Sequence, residues 1–356
     1  MIYKETTLNR SEDRFNGKLH KFDTRRFHEI KKACFSFTFI ILTLGMNTFS
    51  QEFSQIKDES LLQRLQPPQG KIKVVIDTDT YNEVDDQFAV VYALLSPEQM
   101  EVEAIYAAPY HNSRYEGPAD GMKKSHEEIL CLLDNLDMGR TPDNFVFRGS
   151  EGFSQSHDQP YERAAAKDML KRAMASEKPL YVLTLGAPTN VSSAILMEPE
   201  IINKIVVVWL AGKGLNWDTA REFNLQQDIL SSQILFDSGV PLIQLSAEPV
   251  TSHLLTTIPE LETYLAGQGK IGDYLVEIVK GYNQDHFAWS KVIWDISAIG
   301  YVINPKWFST EIRHAPILTD QITYSFDDSR HLYCVATYLK RDKIFGDMFK
   351  KIQDSN

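Results

Sequence analysis

Cysteine is scarce: Cys34, Cys131 and Cys334 are the three in 356 residues, so no disulfide framework is demanded. Glycine and proline, 18 and 15 residues, are too few for a collagen-like or low-complexity chain. Positive charge is also short. Lysine and arginine number 37 against 48 aspartate and glutamate, for a net charge of −11 and an isoelectric point near 5.4. That balance opposes binding to nucleic acid or to an anionic membrane, so a small molecule or a divalent cation is the expected partner. Long apolar runs are missing as well, and the run from Ala33 to Met46 falls short of the ~20 residues a transmembrane helix needs. What is present, 43% hydrophobic and 24% charged residues, is the composition of an ordinary globular protein with a large core.

The N-terminus has its own character. A polar, mildly basic stretch precedes Lys31-Lys32, the apolar run follows, and Asn47-Thr48-Phe49-Ser50-Gln51 closes it. Basic, apolar and small-polar segments in that order predict a secretory signal over residues 1–51, with an unusually long basic extension, and a secreted or periplasmic mature protein beginning near Gln51. A buried core helix is the competing reading of the same run. Residues 52–70, with Pro67-Pro68-Gln69-Gly70, read as a linker. Cys131 and Cys334 lie in apolar surroundings, Ile129 to Leu133 and Leu332 to Ala336. There a free cysteine acts as a small hydrophobe rather than as a nucleophile or metal ligand.

From Lys71 onward β-branched runs alternate with helical patterns, the signature of an α/β domain built on an open, mostly parallel central sheet flanked by helices. Strands are expected at Lys73 to Ile76, Val102 to Ala107, Phe145 to Phe147, Tyr181 to Leu185, Ile205 to Ala211 and Pro241 to Leu245. Such continuous apolar runs suit strands covered on both faces. Helical spacing joins Phe88, Val91, Tyr92 and Leu95, and again Ala165, Met169, Leu170 and Ala173. Beyond Pro305, strands near Ile317 and from Tyr333 to Tyr338 and a closing helix from Lys343 complete one domain over residues 71–356.

The first strand runs into Asp77-Thr78-Asp79-Thr80-Tyr81-Asn82-Glu83-Val84-Asp85-Asp86, five acids in ten residues. In an open α/β sheet the ligand crevice lies at the carboxyl ends of the strands, which is where this loop falls. Carboxylates so close repel one another, and a hard cation with oxygen ligands is the usual means of holding them ionised. A solvated loop in which Asp85 caps the next helix accounts for one or two of these acids, but poorly for the whole set.

Asp77-x-Asp79 followed by Asp85-Asp86-x-x-Ala89 resembles the signature of the nucleoside hydrolases. Three further segments match in order: Leu185-Gly186-Ala187-Pro188-Thr189-Asn190, then Asn216 with Glu222-Phe223-Asn224, then Trp294-Asp295 opening an apolar helix that ends at Asn304-Pro305. The similarity spans about residues 72 to 310. It implies a Rossmann-like fold and hydrolysis of the N-glycosidic bond of a nucleoside or related riboside. It also implies calcium held by Asp79, Asp86, the backbone carbonyl of Thr189, and Asp295. Asp79 would take the proton of the calcium-bound water, Asp77 would stand behind the ligands, and Asp85, Asn216, Glu222 and Asn224 would grip the ribose, with Asn112 a further candidate. Members of this family form homodimers or homotetramers, the assemblies implied here.

Each assignment has a plainer rival. Asp295 could merely cap the helix that follows, Glu222 and Asn224 could belong to an ordinary turn, and Thr189-Asn190 fits a helix start. Two departures from the family pattern stand out. Five residues, not three, separate Asp79 from Asp85, so Asn82 or Glu83 could take over a role. Trp294 stands where several members carry a histidine that protonates the leaving base. Its indole N–H does not titrate, which leaves water, His111, His253, His286, or aromatic stacking by Tyr110, Tyr282, Trp289 or Trp294, as routes for base departure. A purine protonatable at N7 is therefore expected to leave faster than uracil or cytosine. Two other functions compete. Asp77-x-Asp79 after a strand also opens haloacid dehalogenase phosphatases, although Tyr81 departs from that pattern. A non-catalytic calcium or riboside binder would keep the fold without turnover.

Overall fold

Val74, Val75 and Ile76 are fully buried and alternate between faces: Val74 and Ile76 enter one apolar layer, Val75 the other. A strand covered on both sides needs apolar residues at every position, which explains the unbroken β-branched run. The computed structural model describes residues 56–137 and 143–355. The secretory segment expected over residues 1–51 lies outside them.

The chain begins with α1 (Asp58–Arg64), β1 (Ile72–Thr78), α2 (Asp86–Leu94), β2 (Met100–Ala107), α3 (Pro118–Asn135) and β3 (Val146–Arg148). Next come α4 (Ala164–Ala175), β4 (Leu180–Thr184), α5 (Thr189–Met197), β5 (Ile205–Leu210), α6 (Phe223–Gln227), α7 (Ile229–Asp237) and β6 (Leu242–Leu245). The last third adds β7 (Leu255–Thr256), α8 (Ile258–Leu265), α9 (Gly269–Tyr282), β8 (Lys291–Val292) and α10 (Ile296–Ile303). It closes with β9 (Phe308–His314), β10 (Ile317–Leu318), β11 (Tyr324–Ser325), β12 (Leu332–Leu339) and α11 (Arg341–Asp354).

Eight strands form one sheet in the order β3-β2-β1-β4-β5-β6-β12-β9. All neighbours are parallel except β9, which runs antiparallel to β12 at the edge. One apolar layer joins α2, α3, α8, α9, α10 and α11 to the sheet, and the other joins α4, α5 and α7. The open, mostly parallel sheet between helices is thus the architecture expected, and the six anticipated strands occur with ends within two residues of those expected. Strand order reverses between β1 and β4, which opens a crevice at their carboxyl ends.

Two segments differ from expectation. Residues 56–70, read as linker, contain α1, whose Leu61 and neighbouring Leu65 are buried in the core. Spaced four apart, these leucines fall on one helical face and pin the segment to the domain. Strand β9 was not anticipated. Only Phe308 of its seven residues is buried, so the edge strand carries almost no apolar signature. Among the described residues no helix is long and apolar enough to cross a membrane. Cys131 and Cys334 are both free, the latter buried as a core residue.

Candidate active site

The crevice holds a cleft of about 260 Å³ whose wall includes Asp79, Asn82, Glu83, Asp85, Asp86, Glu222, Asn224, Trp294 and Asp295. Local sequence explains how residues so distant meet. Asp79 follows the last residue of β1, Asp85 and Asp86 open α2, and Asp295 precedes α10. Helices α2 and α10 are apolar on nearly every side and pack on one another, so their N-termini arrive side by side. Those positive helix ends favour carboxylates there.

Both Asp85 and Asp295 occupy N-cap positions, yet neither side chain caps its helix. The plain capping explanation therefore fails for both. Their carboxylates turn instead toward Asp86, and ligand oxygens of Asp85, Asp86 and Asp295 lie within 4.8 Å of one another. One oxygen of Asp79 and one of Asp295 are buried without a hydrogen-bond partner, a costly state unless something else binds them. Burial, and then the neighbouring aspartates, push Asp79, Asp86 and Asp295 well above the usual carboxylate range; Thr78, which donates to Asp86, only partly offsets this. A cation at the meeting point would relieve both the repulsion and the missing contacts. The donor set is all oxygen, so a hard divalent ion fits it.

Asp77 lies behind the cleft. Asn190 Nδ2 donates to its Oδ1 at 2.8 Å while Oδ2 has no partner, and burial raises the carboxyl to about 7 against that bond. Gly186 makes room for Asp79: a Cβ there would stand 3.0 Å from its Oδ1. Glu222 caps α6, with its two oxygens accepting from the backbone N–H groups of Gly212, Asn224 and Leu225 at 2.9, 3.0 and 3.2 Å. Burial still pushes its carboxyl upward, ahead of the lowering by those bonds. Asn224 ties two strand ends together, donating to Leu185 O at 2.6 Å and Leu210 O at 3.1 Å.

Three residues stand elsewhere than the resemblance implied. Thr189 does not border the cleft: its hydroxyl donates to Asp228 at 2.7 Å, and its carbonyl accepts from the Ser192 hydroxyl at 3.1 Å in the first turn of a buried helix. Leu185, at the end of β4, is the residue of that segment which borders it. Asn216 is exposed on the turn after β5 and lines an adjoining cleft with Pro249 and Arg313. Asn112 stands one shell back, donating to Asn82 Oδ1 at 3.0 Å. Asp85 joins the acidic group rather than standing apart; Trp294 N–H donates to its Oδ2 at 3.2 Å. His111, His253 and His286 are not among the cleft residues.

Sequence reasoning missed Lys291, whose ammonium is buried beside the cleft. It lies 2.5 Å from Glu83 Oε2 and 3.8 Å from Asp85 Oδ1. Burial alone would lower it, but Asp85 and Glu83 together outweigh burial and hold it raised. Lys213, Arg221 and Glu248 on the rim were missed too. They lie in loops without periodic pattern, where only the fold reveals proximity.

The family model of the inosine-uridine preferring nucleoside hydrolases matches residues 74–343. A pyrimidine-specific ribonucleoside hydrolase RihA of Escherichia coli is 24% identical over 277 residues, covering 70% of this chain and 85% of its own. The RihA of Salmonella enteritidis is 26% identical over 273 residues, with the same coverage. Among solved structures, a plant nucleoside hydrolase, PpNRh1, superposes with a TM-score of 0.62 at 18% identity, covering 79% of this chain and 99% of that one. A purine-preferring ribonucleoside hydrolase from Gardnerella vaginalis gives 0.62 at 20% identity, covering 80% and 98%. Since the family match embraces both the acidic loop of β1 and Asp295, the chain belongs to the inosine-uridine preferring nucleoside hydrolase family and is a hydrolase of N-glycosidic bonds.

Proposed function

We propose that the chain hydrolyses a nucleoside or closely related riboside to ribose and free base with one calcium ion held by Asp79, Asp86 and Asp295. Asp85 stands beside that group, and Leu185 takes the place that the family resemblance gave to the carbonyl of Thr189. The observations that support this reading are the meeting of Asp86 and Asp295 with Asp85, the last two not capping their helices, and the buried oxygens of Asp79 and Asp295 that have no hydrogen-bond partner. When bound, calcium supplies a Lewis-acidic centre that orients and acidifies water.

The chain's own residues do the remainder. Asp79 accepts a proton from the water attacking the anomeric carbon, a role supported by its buried oxygen that has no hydrogen-bond partner. The ring of carboxylates favours the positive charge that develops on the sugar as the base departs. Both amide protons of Asn224 are engaged by carbonyls, so a ribose hydroxyl meets its amide oxygen. Trp294 offers the base an aromatic face and no titrating proton. Purine nucleosides are accordingly cleaved faster than uridine or cytidine. The RihA relatives are named as pyrimidine-specific, which makes uridine the decisive comparison.

Product analysis tests the reading: inosine should yield hypoxanthine and ribose in equal amounts, and a phosphomonoester should yield no phosphate. Binding of inosine by calorimetry without base release would favour a binding protein instead. We further propose export, on the Lys31-Lys32 and Ala33 to Met46 pattern. N-terminal sequencing should find a mature end near Gln51, and recovery of the intact chain from the soluble cytoplasm would contradict it.

A further inference from the structure

Breaking an N-glycosidic bond sends its electron pair onto the base. From a neutral nucleoside the base leaves as an anion unless something protonates it, so the proton donors of the cleft decide which bases can go. Among the described residues, none that lines the cleft is a histidine, cysteine or tyrosine. The basic groups are committed or inert. Lys213 is paired with Glu248 at 2.7 Å and lies 4.8 Å from the Trp217 ring centre. Lys291 is held by Glu83 and by the Val292 carbonyl at 2.8 Å. The guanidinium of Arg221 does not give up a proton in proteins, and neither does the Trp294 indole. Among the acids, Glu83 and Glu248 are each ion-paired to a lysine, and Glu222 is occupied by three backbone N–H groups.

The charge of the cleft points the same way. Seven of its lining residues are acidic and two are basic, so acids remain in excess after a divalent ion is bound. Such a wall with an aromatic ring attracts a flat cation. We infer that this cleft is suited to ribosides whose base is already a cation, such as a 7-alkylated purine or an N-ribosylated pyridinium. The inference rests on the reading of the cleft as the riboside-hydrolysing site. With such a substrate the C1′–N bond breaks, its electron pair neutralises the ring nitrogen, and the base leaves uncharged without accepting a proton. Water oxygen bonds to C1′ and one water proton passes to Asp79 and then to solvent, so the products are ribose, neutral base and one proton.

The test compares 7-methylguanosine with guanosine, and nicotinamide riboside with uridine, at mildly acidic pH with saturating calcium. Methylation makes the base leave more easily, and an enzyme with its own acid largely erases that difference, since general acids contribute about 10²- to 10⁴-fold. We expect kcat/KM for 7-methylguanosine to exceed that for guanosine by about a hundredfold or more. Added salt should raise KM for the cationic substrate and leave that for guanosine unchanged, because only the former is drawn by charge. Trp294→His should narrow the ratio by accelerating guanosine. The wild-type ratio and the salt series decide the matter even if that substitution does not fold. Guanosine cleaved as fast as 7-methylguanosine would overturn the inference and leave the hydrolase assignment standing. Release of base from none of the four substrates would overturn both.

Discussion

Lys291 and Glu83, 208 residues apart, meet beside the acidic cleft with Nζ 2.5 Å from Oε2. Glu83 belongs to the acidic loop between β1 and α2, and Lys291 closes the small β7–β8 sheet at the far side. The loop thus brings a carboxylate to a lysine that also faces Asp85 at 3.8 Å. The pair fixes one wall of the cleft.

Replacing Lys291 by methionine removes the counter-charge and leaves Glu83 and Asp85 beside the other aspartates. Breaking a buried pair costs several kcal/mol, but Glu83 is 36% exposed, so a loss of about 2 kcal/mol is expected. Calcium should recover much of it, because the ion supplies positive charge to the same group. Thermal unfolding with and without calcium checks this: Lys291→Met should show a lower Tm and a larger rise on calcium addition than the wild type. An unchanged Tm in chelator would show that the pair carries no stability.

Asn216 and Asn224 separate motif from geometry. Both fit the family's ribose segment in sequence, but Asn216 is exposed outside the acidic cleft while Asn224 joins the ends of β4 and β5 inside it. Asn216→Ala should therefore change kcat/KM by less than about threefold, the range of a surface substitution. Asn224→Ala leaves two buried carbonyls short of a donor and should cost about 1–3 kcal/mol of stability together with a large loss of kcat/KM. Steady-state kinetics and denaturant unfolding of the two variants distinguish them. Equal kinetic losses would restore Asn216 to the site.

The contrast shows what was legible from residues alone. Strand runs such as Val74 to Ile76 and Ile205 to Leu210 announce themselves because a strand buried on both faces must be apolar throughout. The acids of the first loop are equally visible, since their density has no ordinary explanation. Position within a short motif is less so: Thr189 and Leu185 are four residues apart, and only the course of the chain from β4 into α5 decides which borders the cleft. Lys291 gave no warning because its meaning lies in Glu83, two hundred residues earlier. β9 hid because an exposed edge strand needs no apolar pattern.

Acid stability should depend on His331, whose ring is pushed down from 6.5 to about 4 by burial and then by Arg330. Asp237 and Asp58 oppose that shift, and His314 adds to it. The folded state keeps this histidine neutral while the unfolded chain takes up a proton. The stability it contributes is therefore fully present above pH 6.5 and is lost as pH falls toward about 4. At most about 3 kcal/mol is at stake. Urea unfolding across that window should show a shallower pH slope for His331→Gln than for the wild type, and identical slopes would remove His331 from the account.

Asp79, Asp86 and Asp295 are proposed to hold one ion without which the N-glycosidic bond is not broken. The direct measurement is metal content and base release on the same samples of wild type and Asp79→Asn, as purified, after chelation, and after calcium is restored. The wild type should carry one equivalent of calcium, lose activity with it and regain both. Asp79→Asn should bind calcium weakly and be slower by several powers of ten, since both a ligand and the proton acceptor are gone. Undiminished release of base by metal-free wild type, or near-normal turnover by Asp79→Asn, would contradict the account.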